Sequence, residues 1–554
     1  MSMNGLKVPS KTLIGDLIAG LVMALVSIPG GLAQGLLAGV NPVFGLYSMI
    51  AGTSVAALFT SSVIINVDST SATALATFDA LSGVPEDQTL AYLVVLGFLV
   101  GSFMLIFGIL KLGFLVRFIS NAVMTGFLSG LGVLTILGQV GDLTGYYSEA
   151  GNKVVRTIDT ILNWQEIDLA TLAIGLLTIF IILAVNQTRL VKYSFLVAVF
   201  LTSILVVIID PASVAVVGDS TLIPRSFPSL NLPDLSIVPA LIGPALAIAI
   251  IALVTGAGVS GSIPNPDGEY PDPSGDFRGQ GAGNLAVGLV GGIPVGGSLS
   301  GTTLIQSMGG KSRWANIFTG LFTAAAILLI GPQIENIPMP TLAGLLIVVG
   351  FSMINVPRIQ TVWHTGYAPM SIMLITFIAT LFTPIQVAVG LGIILNILIH
   401  IFRSAEAVRL ERIVALEDGG FTEGEIPENL PSREIVILQP IGSLFFAGVA
   451  ELEERLPNVS QARGSVVILR LRDRDEIGST FIRTIKRYTQ ELKVQGNMLM
   501  LVGVNQQVRE QLDRTDLLDL ISDENVYLAE PIFGAALRQA VGDAQEWINK
   551  KDGE

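Results

Sequence analysis

Two short stretches of this 554-residue chain carry residue types that could do chemistry: Ile64 to Ala74 and Gly292 to Thr303. In the first, a β-branched run meets the polar turn Asp68-Ser69-Thr70 and then a helix of small residues. In the second, Gly296-Gly297 leads into Ser298, Ser300, Thr302 and Thr303. A helix that begins inside a membrane leaves its first backbone N–H groups without intrahelical partners, and its positive end attracts negative charge. Flanking hydroxyls add further donors, so each stretch has the makings of an anion site. Read singly, either stretch is equally explained by small residues that let helices pack closely. Taken together, two interrupted segments in corresponding halves of a chain point to inverted repeats with broken helices.

Asp68 is the only ionisable residue in 64–74. One expectation is that it caps the helix starting near Thr70; the other, compatible with the first, is that it binds a coupling H⁺ or Na⁺. An intramembrane carboxylate costs about 2.5–3.5 kcal/mol on insertion scales, and a helix N-terminus returns at most about 2 kcal/mol. Two helix ends contribute roughly half a positive charge each, so an ionised Asp68 would cancel their pull on a monovalent anion.

The elements that must hold these stretches are apolar. Hydrophobic residues make up 51% of the chain and charged residues 14%, and the mean hydropathy is +0.69. Windows long enough to cross about 30 Å of hydrocarbon begin near Asp16, Pro42, Leu90, Arg117, Ile167, Tyr193, Ile237, Asn316, Met339, Tyr367 and Gln386, with weaker segments at 62–82, 279–296 and 298–309. Counting both kinds predicts about fourteen crossings. With a cytoplasmic N-terminus, most loop Lys and Arg fall inside and only Lys153, Arg156 and Arg225 outside, which satisfies the positive-inside rule.

Cysteine is absent, which excludes disulfides, thiolate metal sites and cysteine nucleophiles. The net charge of −13 argues against nucleic acid as a partner. The Gly-rich run 288–301 lacks the Gly-Lys-Ser/Thr of a phosphate-binding loop. The composition changes after Phe402. The expected organisation is a transport domain over 1–403, a linker over 404–432 and an α/β domain over 433–554, with strands at 434–439, 466–472 and 498–504 and helices at 479–494, 505–519 and 532–549.

Several motifs carry a resemblance. Pro29, Ala38-Gly39, Pro42 and Gly45-Leu46-Tyr47 resemble the opening signature of the sulfate permease (SulP) anion transporters. So do Arg117-Phe118-Ile119-Ser120 with Gly126-Phe127, Gly279-Gln280-Gly281 with Asn284, and 291–294 leading into Ser298 and Ser300. The tail is similar to a STAS domain at Gly442 to Ala447, Leu501 to Val504 and Leu517-Leu518.

The resemblance implies an α-helical membrane protein of two inverted seven-span repeats with broken third and tenth spans. It also implies a homodimer in the inner membrane, both termini cytoplasmic, moving a small anion by an elevator-like cycle without enzymatic chemistry or a cofactor. Carried onto this chain, the pocket would comprise Gln34, then Ser69, Thr70 and Ser71, then Thr255, and finally Ser300, Gly301 and Thr302. Three positions depart from the family pattern: Thr255 replaces an acidic residue implicated in cation coupling, Gln34 replaces an aromatic, and Asp68 replaces a small apolar residue or proline. Gln34 and Asp68 also leave open a nucleobase or neutral-solute symporter of the same architecture. A non-transporting sensor acting through the tail is a third reading.

Overall fold

The computed structural model describes residues 12–114, 120–150, 152–220, 223, 226–406, 409–415, 420–442, 446–472, 474–532 and 534–552. Lys7, Lys11, the Arg117 to Ile119 motif, Arg225 and Ser443 to Phe445 lie outside the described residues. Two compact units emerge, Met1–Asn396 and Ile397–Glu554.

The first unit is helical. It opens with α1 (Leu13–Leu37) and α2 (Val43–Phe59, π-helical over Met49–Thr53). The three-residue strand β1 (Asn66–Asp68) then leads into α3 (Ser71–Ala80). Next come α4 (Thr89–Ile109), α5 (Asn121–Gly138), the short α6 (Val140–Thr144), α7 (Lys153–Leu162), α8 (Leu169–Asn186) and α9 (Ser194–Ile209). The second half has α10 (Val238–Ser260), α11 (Pro273–Val290), strand β2 (Gly296–Ser298) and α12 (Leu299–Ser307). It continues through α13 (Trp314–Glu335), α14 (Met339–Met353), α15 (Val356–Thr365), α16 (Tyr367–Phe382) and α17 (Ile385–Glu406). Among the described residues, eight helical segments are long and apolar enough to cross a membrane.

Lipid supplies no hydrophobic force between such helices, so close backbone approach has to hold them. A Cβ on Gly97 of α4 would lie 2.7 Å from the Gly288 Cα of α11, so only glycine fits this crossing. Buried hydroxyls join helices elsewhere: Thr178 of α8 donates to Thr341 of α14, which donates to Thr202 of α9 at 2.9 Å.

The second unit is a six-stranded sheet in the order β4-β3-β5-β6-β7-β8. Its strands are β3 (Arg409–Ala415), β4 (Phe421–Gly424), β5 (Ile435–Ile441), β6 (Val466–Arg470), β7 (Met498–Val504) and β8 (Val526–Leu528). The strands from β5 to β8 run parallel, whereas β3 pairs antiparallel with both β4 and β5. Alternation along β5 and β6 sorts the side chains onto two faces. Val436, Leu438, Val467 and Leu469 pack with α18 (Phe446–Arg455), α19 (Ser479–Val494), α20 (Gln506–Arg514) and α21 (Leu517–Ile521). Ile437, Val466 and Ile468 instead pack against α22 (Ala535–Asp552). The stretch read as linker, 404–432, therefore carries two paired strands. The run Leu410-Glu411-Arg412-Ile413-Val414 has no period-2 alternation and sits among charges, so it carried no strand signal.

Phe481 of α19 is fully buried in the first of these cores. In a fragment spanning 409–552, Phe481→Ala is expected to lower stability by about 3–5 kcal/mol, read as a lower urea midpoint in circular dichroism.

Candidate functional site

The two interrupted stretches meet. β1 and β2 pair antiparallel, with Asn66 opposite Ser298, Val67 opposite Gly297 and Asp68 opposite Gly296. Each strand runs directly into its helix, so α3 departs from the Asp68 end and α12 from the Asn66 end. A three-residue strand is about 7 Å long from first Cα to last, which sets the scale of the gap between the two helix starts. Thr70 caps α3 in a reciprocal arrangement: its hydroxyl accepts from the Thr73 N–H, and Thr73 Oγ1 accepts from the Thr70 N–H at 3.0 Å. Ser298 caps α12 by accepting from the Gly301 N–H at 3.2 Å. The N–H groups of Ser71, Ala72, Leu299 and Ser300 fall in first turns, where no intrahelical partner exists.

The cap expectation for Asp68 is therefore corrected. Its Oδ1 accepts from the adjacent Ser69 N–H at 2.7 Å, and Thr70 takes the cap. The physical reason is register: Asp68 is still extended and paired with Gly296, two residues too early to reach the first helical turn.

Gln34 of α1 reaches the same place, its Nε2 donating to Ser71 Oγ at 3.3 Å. Its Oε1 is buried without a partner, as is the Ser69 hydroxyl. Thr255 lies on α10 beside Gly256, whose Cα would be 2.6 Å from a Cβ on Gly297; its own hydroxyl donates to the Ala252 carbonyl at 3.0 Å. Ser300 is exposed at the first turn of α12, with Oγ 3.3 Å from Ser298 Oγ. Thr302 is fully buried, and its hydroxyl is committed: it donates to the Ser298 carbonyl at 2.6 Å and accepts from the Asn66 N–H at 2.9 Å. Thr302 thus braces β1 against α12. Gly301 makes room, because a Cβ there would sit 2.2 Å from Asn66 Oδ1.

Four side chains that hold this crossing were not named as site residues from the sequence. Extended backbone inside a membrane needs partners from the protein, and carboxamides supply them. Asn284 brackets Val295, donating to its carbonyl and accepting from its N–H, both at 2.9 Å. Gln280 Oε1 accepts from the Gly297 N–H at 3.1 Å. Asn316 donates to the Ile65 carbonyl at 2.9 Å and accepts from Asn66 Nδ2 at 3.1 Å. The available signal was a carboxamide flanked on both sides by apolar or small residues: Asn66 between Ile65 and Val67, Gln280 between Gly279 and Gly281, Asn284 between Gly283 and Leu285, and Asn316 between Ala315 and Ile317.

Comparison with known proteins agrees with this architecture. The model of the sulfate permease family matches residues 13–376, and that of the STAS domain matches residues 428–532. The Mycobacterium tuberculosis protein named "Probable sulfate transporter Rv1739c" is 27% identical, with 95% of each chain covered. The fold is similar to that of murine Slc26a9, titled an anion transporter in the inward-facing state, with a TM-score of 0.85 at 18% identity over 98% of this chain and 93% of that one. The transmembrane domain of a cyanobacterial bicarbonate transporter, BicA, gives a TM-score of 0.58 at 23% identity, covering 71% of this chain and 99% of that one. With two thirds of its length matched by that one family model and its two broken segments joined at a common crossing, this chain belongs to the sulfate permease family.

Proposed function

We propose that the chain is a secondary transporter of a small anion (sulfate, bicarbonate, chloride or a small carboxylate), with the substrate held between the starts of α3 and α12. The supporting observation is the antiparallel pairing of β1 with β2, which sets two helix N-termini and the hydroxyls of Ser69, Ser71 and Ser300 around one crossing. Gln34 and Thr255 form the flanks, and Thr70 and Thr302 hold the helix starts in place. Anion desolvation is then offset by N–H and hydroxyl donors that are already oriented.

In this reading the chain makes fourteen crossings as two inverted repeats and works as a homodimer in the plasma membrane, with both termini cytoplasmic. The segments bearing the site move in an elevator-like manner against the others. Asp68 takes the coupling role that Thr255 cannot fill, carrying H⁺ or Na⁺.

Uptake into proteoliposomes with labelled sulfate, bicarbonate, chloride, succinate and uracil tests the reading. Saturable uptake of one of the anions is the expected result. Uptake of uracil alone would favour a nucleobase symporter, and uptake of none by folded protein would favour a sensor. Ser69→Ala removes one hydroxyl donor; a hydrogen bond to a charged group is worth about 1.5–3 kcal/mol, so KM for the transported anion is expected to rise about tenfold or more.

A further inference from the structure

Away from the β1–β2 crossing, a cavity of about 190 Å³ lies between the C-terminal end of α1, Phe78 of α3, the turn joining α5 to α6, and α7. Nothing in the transport reading uses it. Its walls divide by chemistry. Leu36, Leu37, Phe78 and Leu137 make one apolar side. The polar side carries Lys153 and Arg156, three residues apart and therefore on one face of α7.

Three observations point to a ligand rather than to packing. Among the described residues, no carboxylate oxygen lies within ion-pair distance of Lys153, whose ammonium instead sits 4.6 Å from the centre of the Phe78 ring. Gln139 lines the cavity, is 2% exposed, and its Oε1 has no hydrogen-bond partner. Turned about its last torsion, that amide offers N–H donors to an occupant. The one carboxylate on the wall, Asp142, already accepts from the Tyr147 hydroxyl at 2.9 Å. Two cations against one carboxylate leave the lining with a single net positive charge, part of which Asp79 of α3, outside the lining, offsets at Lys153.

Size and polarity then choose the ligand class. A 150 Å³ apolar cavity accommodates benzene, so about 190 Å³ accommodates a ring of that size with a carboxylate attached. An inorganic oxyanion would waste the apolar wall, and a neutral hydrocarbon would leave Lys153 and Gln139 unanswered.

We propose that this cavity is a second binding site, separate from the β1–β2 crossing, for a small carboxylate with an apolar body, its carboxylate held by Lys153, Arg156 and Gln139 and its body lying against Phe78 and the leucines. Burial brings the Lys153 ammonium down to about 8, with Asp79 of α3 opposing that shift and Arg156 adding to it. Asp142, Tyr146 and Tyr147 are the other titratable groups facing the space. The site is therefore charged at neutral pH and weakens as pH rises through about 8.

Benzoate is the probe, titrated calorimetrically against the purified full-length chain, with size-exclusion profiles to establish folding. Expected results are saturable binding at pH 7, at least a tenfold loss in Lys153→Gln, retention in Lys153→Arg and in Ser69→Ala, tighter binding in Asp142→Asn, and weaker binding at pH 9. Absence of binding by folded wild-type chain overturns the proposal, as does undiminished affinity in Lys153→Gln. Loss of binding in Ser69→Ala also overturns it, because that places benzoate at the crossing. Ser69 does not touch this cavity, so failure here leaves the transport reading standing and failure of anion uptake leaves this site standing.

Discussion

Asp68→Asn is expected to abolish accumulation of substrate while sparing exchange. The residue is 8% exposed, extended, and opposite Gly296, and its carboxylate accepts from the Ser69 N–H. One ionised carboxylate cancels the roughly half-charge that each of the two helix starts contributes. In the proposed transport reading, anion and negative Asp68 compete, and binding of H⁺ or Na⁺ at Asp68 removes the conflict. That mutual dependence is coupling. A tenfold H⁺ gradient stores about 1.4 kcal/mol per proton, enough for about tenfold accumulation of a co-transported anion. The asparagine variant keeps the shape and loses the titratable charge. In proteoliposomes with an imposed pH or Na⁺ gradient, its internal substrate is expected to reach only the external concentration. Counterflow of labelled against unlabelled substrate persists, and apparent affinity improves because the opposing charge is gone. Undiminished gradient-driven accumulation by Asp68→Asn would remove Asp68 from the coupling path.

What was legible in the chain follows from how each part is stabilised. Long apolar helices are written in composition, and α1, α4, α8, α9, α10 and α13 fall where hydrophobic windows predict them. Breaks in the pattern are also written, because Asn66, Asp68 and the Gly296-Gly297 pair cannot continue an apolar helix cheaply. The amphipathic α7 and α15 were not anticipated, since each spends half its surface on polar side chains and so falls below a hydropathy threshold. Strand β8 has only three residues and was equally invisible. The exchange of the cap from Asp68 to Thr70 turned on a two-residue register that only pairing with β2 fixes. Of the residues at the crossing, those with hydroxyls were chosen by carrying the family pattern onto this chain. Thr302 shows the limit of that choice: a threonine in a binding pattern has the same sequence signature whether its hydroxyl faces a ligand or, as here, ties two backbone segments together.

That division between donors and braces leads to the second large effect. Gly301→Ala is expected to destroy transport through structure rather than through loss of a ligand contact. The added methyl would lie 2.2 Å from Asn66 Oδ1 and 2.9 Å from Met23 Cε. Asn66 is fully buried and cannot swing away without breaking its bond to Asn316, which itself holds the Ile65 carbonyl. Overpacking of this kind costs about 1–3 kcal/mol, and stranding the carboxamide pair adds about 1–3 kcal/mol more. The variant is expected to unfold at a clearly lower temperature and to show no uptake. Thr302→Val separates the two contributions, because it keeps the volume and deletes only the hydroxyl that accepts from the Asn66 N–H. Its cost is one buried unsatisfied donor, about 1–3 kcal/mol, without a clash. Shortening the obstructing side chain in Asn66→Ala/Gly301→Ala should return part of the lost stability, so a double-mutant cycle should show coupling of about 0.5–3 kcal/mol. Strict additivity of Asn66→Ala and Gly301→Ala would mean that the two residues do not share the contact that fixes β1 to α12. The distance between the helix starts would then rest on the β1–β2 pairing and on Thr302, Gln280, Asn284 and Asn316.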